Sequence, residues 1–433
     1  MIPQPTQTTG WQPPANYEQA PSTIEGITVW QPRTEEAKVE APATYTCPNC
    51  GASTRYDVAA GGVTCEHCGY TAPVKAEKVG RQAESFEFTL DTLNEAEQGW
   101  GIERKTLHCD NCGAELAVTE EMLSTTCPFC ASNKVNLRTT PFSTLRPRFL
   151  IPFKVQIDAV RVRAKQWLGK GWFHPSQLAS STAIDQFTGI YLPFWTFGAN
   201  ITARWKAEVG YEHTESYYDA GSKSMRTRTV IRWRWENGQV GLRVADLLVS
   251  GSSHLSHIIL ERVEPFNLND LVAYSPDFLA GWQAHAYDIS LPKAWEAGKD
   301  TMRERAKKAC YENIPSPHVR NFSMSADFSD EMWRYLLLPV YLAAYRFEEK
   351  VYQVMVNGQT GTVAGQKPVA WWKIWLAVAA LVVPGLIFGL IGLALVPAGG
   401  IGAIPLVIGF ILVVIGIVLG IIFYRQGVQS EAA

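Results

Sequence analysis

The sequence predicts a multidomain membrane protein: a disordered N-terminal arm, two small β zinc ribbons, a mixed α+β soluble domain and a C-terminal two-helix transmembrane hairpin. Three observations predict it. Eight of the nine cysteines fall in four Cys-x-x-Cys pairs. Those pairs recur as two sets displaced by 62 positions. The tail holds two long apolar runs without a charge. At 433 residues the chain is also too long for one core.

Residues 1–43 are rich in Pro, Thr, Gln and Glu and poor in aliphatic side chains. Such a segment cannot bury enough apolar surface to offset the entropy of ordering, so a disordered arm is expected. Trp11 and Trp30 are isolated aromatics within it, placed as a short partner-binding motif would place them. The arm has no basic start and no long apolar run, which argues against export.

The first ribbon is assigned to 44–72 and the second to 106–140, with an acidic linker at 73–105 in which Leu90 and Leu93 are candidates to start a short helix. Cys47, Cys50, Cys65 and Cys68 form one ligand set, and Cys109, Cys112, Cys127 and Cys130 the other. Within each set, 14 residues separate the two Cys-x-x-Cys turns, enough for a hairpin that closes a tetrahedron of thiolates. Four thiolates suit Zn²⁺, so two structural zinc ions are expected, with rubredoxin-like iron or an iron–sulfur group as the competing metal. Thioredoxin-like redox chemistry needs a single such pair at a helix start, which four pairs in register do not fit. Gly51, Gly69 and Gly113 follow the second cysteine of their turns, where glycine permits positive φ; Ala131 breaks the pattern and should strain its turn. His67 and His108 adjoin ligands and read as spectators.

Residues 148–367 show mixed periodicity and read as the α+β domain. Ile157, Val160, Ala164, Trp167 and Leu168 share one helical stripe ending before Gly171. A second helix is expected from Pro292 to about Tyr311, with Trp295, Met302, Ala306 and Cys310 inward. Ile231, Trp233 and Trp235 alternate with Arg232 and Arg234 as a strand, with Asn237-Gly238 as a hairpin turn. A strand through Trp333–Phe347, another through Val351–Val356 and a turn at Asn357-Gly358 complete a second hairpin.

The hairpin at 371–425 has spans at 374–396 and 401–424, each long enough to cross a hydrocarbon core of about 30 Å. Pro397-Ala-Gly-Gly400 joins them tightly, and Trp371, Trp372, Trp375 and Tyr424 stand where aromatic belts stand. The alternative, a buried pair of soluble core helices, rarely carries two adjacent uncharged runs of this length. Lys367, Lys373 and Arg425 flank the spans while the turn is uncharged, which places both termini in the cytoplasm by the positive-inside rule. Gly385 with Gly389, and Gly416 with Gly420, are small-residue pairs suited to packing the spans together or packing protomers.

Charge bears on partners. Residues 44–140 hold eight Lys and Arg against 13 Asp and Glu, a net −5, and a tetrathiolate zinc adds more negative charge. Such a module repels phosphates, so protein contacts are favoured over nucleic acid. One basic patch, Lys223, Arg226, Arg228, Arg232, Arg234 and Arg243, surrounds Trp233 and Trp235. It reads as solvated strand arginines or, with the tryptophans inward, as a face for anionic lipid. No nucleotide-binding loop, Gly-x-Ser-x-Gly or His-Glu-x-x-His is present, and His174, His213, His254 and His257 show no ligand spacing. No enzyme is expected, and Cys310 reads as a small buried residue.

The two ribbons, Pro152-Phe153-Lys154-Val155, Gly189-Ile-Tyr-Leu-Pro193-Phe-Trp195 and Val356-Asn-Gly-Gln-Thr-Gly361 resemble a bacterial family of zinc-ribbon membrane proteins often labelled as primosomal replication-restart helicases. The resemblance covers most of the chain after the arm. It implies a partner in membrane-stress operons that recruits phage shock protein A-type coat proteins or band-7 scaffold proteins to the bacterial cytoplasmic membrane. The helicase label finds no support in motor motifs. The expected function is a membrane-anchored cytoplasmic adaptor, with a membrane-tethered nucleic-acid binder as the alternative.

Overall fold

The computed structural model describes residues 17–20, 29–32, 45–74, 77–83, 86–87, 105–118, 126–138, 145–176, 178, 187–221, 223–348, 350–395 and 402–432. The chain divides into two compact units, Met1–Pro42 and Ala43–Ala433. In the first, β1 (Tyr17–Ala20) and β2 (Val29–Pro32) pair antiparallel inside the segment expected to be a disordered arm. Trp11, the Leu90–Leu93 helix and the Pro397–Gly400 turn lie outside the described residues.

In the second unit, β3 (Arg55–Asp57), β4 (Gly62–Thr64) and β5 (Thr71–Pro73) form the small antiparallel sheet of ribbon 1. Ribbon 2 contributes β7 (Lys105–Cys109), β8 (Glu115–Val118) and β9 (Val135–Arg138), after a short β6 (Phe86–Glu87). Then come β10 (Phe149–Leu150), α1 (Ile157–Leu168), and the two long strands β11 (Thr188–Asp219) and β12 (Ser224–Ser250). The chain continues with α2 (His257–Val263), β13 (Val272–Ala273), β14 (Gln283–His285), α3 (Leu291–Asn313) and a third long strand, β15 (His318–Phe347). It ends with β16 (Lys350–Asn357), β17 (Val363–Gly365), α4 (Trp371–Leu395) and α5 (Ala403–Ala432). Strands β6 to β17 share one 12-stranded sheet, and β8 pairs with β14, so the second ribbon extends the sheet of the α+β domain.

Burial along β11 changes in steps. From Ile190 to Phe197 both faces are covered: Tyr191, Trp195 and Phe197 enter one core, and Ile190, Leu192 and Phe194 the other. From Ala199 to Val209 the odd residues alone stay in a core. Across that stretch lies α3, whose Leu291, Ala294, Trp295, Met302, Ala306 and Cys310 recur at three- and four-residue spacing and are all buried. Beyond Gly210, β11 pairs only with β12, and the ribbon there is largely exposed. Register shifts opposite Phe197–Ala199, Gly198–Asn200 and Lys206–Glu208 bend these strands. Asp246, Asp330 and Asn321 sit in those shifts at φ +56°, +51° and +51°. Asp and Asn tolerate the left-handed region better than other side chains, which suits them to bulges.

Both expected helices form as read, but the hairpins differ. Asn237-Gly238 is no turn: β12 runs straight through it, and the reversal is at 219–224. Gly238 lies opposite Trp205, and a Cβ there would come within 2.7 Å of the indole. The glycine makes room for a cross-strand ring, whose Nε1–H donates to Asn313 Oδ1 at 3.0 Å. In the second hairpin, the expected strands β15 and β16 do pair, joined beyond Phe347, which pairs with Lys350, and Asn357-Gly358 does turn, leading the chain from β16 into β17.

Four arginines of the basic patch are paired with three carboxylates on the same two strands. Glu215 takes both Arg228 and Arg232, Asp219 takes Arg226 and Glu236 takes Arg234. The tryptophans are not inward: Trp235 is 54% exposed. Cations from neighbouring strands cover them, Lys206 lying 5.0 Å from the Trp235 ring and Arg320 4.2 Å from Trp233.

α4 and α5 are long and apolar enough to span a membrane. Leu390, Ile404 and Phe410 are 67%, 69% and 68% exposed, as side chains meeting lipid would be, whereas core helices of a soluble protein would bury them. The helices touch along a glycine seam: a Cβ on Gly409 would lie 2.5 Å from the Gly385 carbonyl oxygen and from the Gly389 nitrogen. Gly409 is the partner that the paired-glycine pattern missed; Gly416 is buried, and Gly420 faces Val378. Trp371 and Tyr424 meet at 5.4 Å, placing their rings at one boundary of the helix pair.

At that boundary Lys367 is buried. Its Nζ donates to the Trp167 and Lys170 carbonyls at the end of α1 and sits 4.0 Å from the Trp167 ring. Burial, helped by the Lys170 charge, lowers its pKa to about 8 from the ordinary 10.5. Between those values the folded protein binds fewer protons than the unfolded chain, so this lysine adds stability as pH rises. The melting temperature of the wild type relative to Lys367→Met should therefore increase from about pH 7.5 to about pH 10. A difference that stays flat or shrinks contradicts the burial.

Candidate metal centres

Each ribbon is built from two turns with one backbone plan. The N–H of Gly51, Gly69, Gly113 and Ala131 donates to the carbonyl of Cys47, Cys65, Cys109 and Cys127 at 2.8–2.9 Å. The N–H of those same cysteines in turn bonds the carbonyls of Ala52, Tyr70, Ala114 and Ser132. The three glycines have φ of +73°, +73° and +76°, and Ala131 follows at +54°. The turn closes the same way with alanine, at a strain of about 1 kcal/mol. Ala131→Gly is accordingly expected to tighten metal retention by ribbon 2 about fivefold against a competing chelator. Equal or weaker retention would show the turn to be unstrained.

The predicted ligands converge as two groups of four thiols, every sulfur within 4.8 Å of the others in its group. Cys47–Cys68 and Cys50–Cys65 sulfurs stand 3.5 and 3.6 Å apart, and Cys109–Cys130 and Cys112–Cys127 stand 3.6 and 3.7 Å apart. Sulfurs of a tetrahedral ion with bonds of about 2.3 Å lie about 3.8 Å apart, while a disulfide needs about 2.0 Å. Each group can therefore hold one tetrahedral ion. His67 and His108 join neither group; His108 Nδ1 lies 3.3 Å from a Glu115 carboxylate oxygen. Cys310 is buried on α3 with its sulfur 3.7 Å from that of Met324.

Two residues around the thiols escaped the sequence reading. The Asn49 side chain bonds Cys68 and, with the Tyr70 N–H, draws that thiol down to about 6. Burial works against the Cys130 thiolate, yet Asn111 and the Ser132 N–H hold it below the ordinary thiol value. Asn49 and Asn111 are related by the same 62-residue offset as the cysteines, and that offset was the available signal. Both stabilise the deprotonated form that a metal requires.

The two centres differ in setting. In ribbon 1, Cys50 and Cys68 are exposed. The ribbon reaches the body through Tyr56, whose N–H donates to the Ala280 carbonyl at 2.9 Å and whose carbonyl accepts from Trp282 Nε1 at 3.2 Å. In ribbon 2, Cys109 and Cys127 are fully buried, sharing a core with Leu107, Leu116, Phe129, Ile190 and Leu338. The Phe129 carbonyl accepts from Gln353 Nε2 at 2.6 Å.

The three strings singled out outside the ribbons meet at Phe153. Its ring stacks on Trp282 at 4.2 Å and 15°, and takes Tyr191 and Tyr341 edge-on at 5.0 and 4.9 Å. A side chain at Gly189 would run into Trp282, and one at Gly358 would lie 2.6 Å from Phe153. The Gly358 carbonyl accepts from Lys154 and Val155, both at 2.9 Å. Asn357 Oδ1 accepts from the N–H of Gln359 and Thr360, while its Nδ2 donates to the Val263 carbonyl. These strings form one packing and hydrogen-bonding knot.

Compared with known proteins, the chain is 25% identical over 340 residues to Uncharacterized protein YdjG of Bacillus subtilis (strain 168), covering 76% of this chain and 92% of that one. No family model matches the sequence. No solved structure matches it.

Proposed function

We propose that the chain is a membrane-anchored cytoplasmic adaptor in which ribbon 1 is the docking head and ribbon 2 is part of the supporting frame. The observation that carries this reading is the contrast between the two centres: each buries two of its cysteines, but the outer pair, Cys50 and Cys68, is exposed in ribbon 1, whereas in ribbon 2 Cys112 and Cys130 are half-buried and the ribbon's strands join the main sheet. The ions are zinc, and with four protein ligands each centre is closed to water and substrate. Their role is to hold surfaces in shape, and the protein is not an enzyme. The cations Lys373 and Arg425 beside the spans, against an uncharged turn, support a cytoplasmic side for both termini by the positive-inside rule. Following the family resemblance, the partners are coat or scaffold proteins of the phage shock protein A or band-7 type, and the setting is envelope stress at the bacterial cytoplasmic membrane.

The test is affinity purification from detergent-solubilised membranes, comparing wild type with Cys50→Ser/Cys68→Ser. Loss of the co-purifying proteins with membrane location retained supports the reading; an unchanged set ends it. The second reading, a membrane-tethered nucleic-acid binder, runs against the net −5 of residues 44–140. It requires salt-dependent binding of DNA or RNA by the full-length protein.

A further inference from the structure

Beside the second ribbon the sheet assembles a cluster outside both cysteine groups. His254 follows the end of β12, His285 is the last residue of β14, and Asp288 lies three residues on. One ligand atom from each lies within 4.8 Å of the other two. Nδ1 of His285 is 2.6 Å from the Glu115 carbonyl oxygen. A carbonyl only accepts, so Nδ1 carries the proton and Nε2 holds a bare lone pair. Among the described residues that Nε2 has no hydrogen-bond partner, and it is buried on a residue only 1% exposed. A buried acceptor left unmatched is unfavourable, and a cation would satisfy it.

The other two groups are arranged to share that cation. His254 Nε2 lies 3.1 Å from Asp288 Oδ2. Two ligands of one tetrahedral ion, at about 2.0–2.1 Å each, stand about 3.3 Å apart. The carboxylate is aimed by Ser253, whose N–H donates to Oδ1 at 2.8 Å and whose hydroxyl donates to Oδ2 at 2.6 Å. Outer hydrogen bonds of this kind, like the Glu115 carbonyl on His285, orient metal-binding side chains. The cluster is open to solvent through Asp288 and His254, whose side chains are 30% and 16% exposed. An ordinary His254–Asp288 ion pair would leave the His285 lone pair unexplained.

We propose that His254, His285 and Asp288 form a third metal site for a zinc-class divalent cation. Its fourth position is open to water or to a ligand from a partner. Two imidazoles and a carboxylate are a harder donor set than four thiolates and accept Zn²⁺ or Co²⁺. The Phe129 ring stands 5.6 Å from His254 and 5.2 Å from His285, so one aromatic side chain separates this site from the Cys127–Cys130 turn. The inference is independent of the adaptor reading.

The test counts metal in full-length protein purified in detergent, equilibrated with buffered Zn²⁺ and then desalted. Three equivalents are expected for wild type and two for His254→Ala, Asp288→Asn and His285→Gln, while Cys50→Ser loses an ion of its own. Co²⁺ titrated into wild-type protein already holding two zinc ions gives a readout that needs no variant. It should produce a ligand-field spectrum without thiolate-to-cobalt charge transfer. Saturation of the wild type at two ions, absence of that spectrum, or an unchanged count in all three variants overturns the proposal.

Discussion

Cys127→Ser is expected to abolish the folded soluble body, whereas Cys50→Ser should leave its main unfolding transition in place. Both remove one ligand of four. Isolated zinc modules owe roughly 10–16 kcal/mol of folding free energy to the ion, far more than a hairpin of this size gains from its own core. The difference lies in what each ribbon touches. Cys127 is 1% exposed, in the same cluster as Ile190, Leu192, Leu336 and Leu338 of the central strands. Losing that ion releases Leu107, Leu116 and Phe129 from this core and leaves β14 without its partner β8. Cys50 is exposed, and ribbon 1 rests on the body through Tyr56 and through Tyr45, whose hydroxyl donates to the Pro276 carbonyl at 2.9 Å. Tryptophan fluorescence during heating should show no cooperative transition for Cys127→Ser. For Cys50→Ser, limited proteolysis should cut within 45–74 while the transition persists. Equal damage from both variants would refute the division into frame and head.

Phe153→Ala should cost about 3–5 kcal/mol, the range for removing a fully buried phenylalanine that cannot be replaced by collapse. Collapse is obstructed here because the four neighbours of the ring are themselves fixed. Trp282 donates to the Tyr56 carbonyl and Tyr341 donates to the Val155 carbonyl at 2.7 Å, while Gly189 is held in the β11–β15 ladder and Gly358 by its N–H on the Pro339 carbonyl at 2.9 Å. Phe153→Leu should recover part of the loss. Denaturant titration in detergent reads both, and a loss under about 1 kcal/mol for the alanine variant would mean that the knot is not a core element.

Much of the metal chemistry was legible because ligand spacing is local. Each Cys-x-x-Cys turn is specified by four residues, and the 62-residue repeat pairs the turns without any knowledge of the fold. The apolar tail was legible for the same reason, being a property of composition. What failed to show was non-local. Asn237-Gly238 carries a turn signature, yet the glycine answers Trp205 on another strand. In the sequence only Glu236 stood against the arginines around Trp233, because Glu215 and Asp219 belong to β11. The fusion of ribbon 2 with the main sheet rests on β8 pairing with β14, from Ala117 to Ala284, and no local pattern encodes that register. His254 and His285 came together only through the sheet, although His285-Ala-Tyr-Asp288 offered a short His-x-x-Asp hint.

The long strands give the molecule two separate addresses. Strands β14, β8 and β10, the Phe153 knot and the departure of α4 through β16 and β17 all cluster where β11 begins, near Ile190. The exposed tip, with Tyr217, Tyr218 and Met225, lies at the other end. At about 3.3 Å per residue the path from one to the other is roughly 90 Å along the strand, shortened by the bends. The half-buried and buried thiols of ribbon 2 and the aromatic tip therefore stand at opposite ends of one continuous sheet, joined by hydrogen-bonded strands and by no flexible joint.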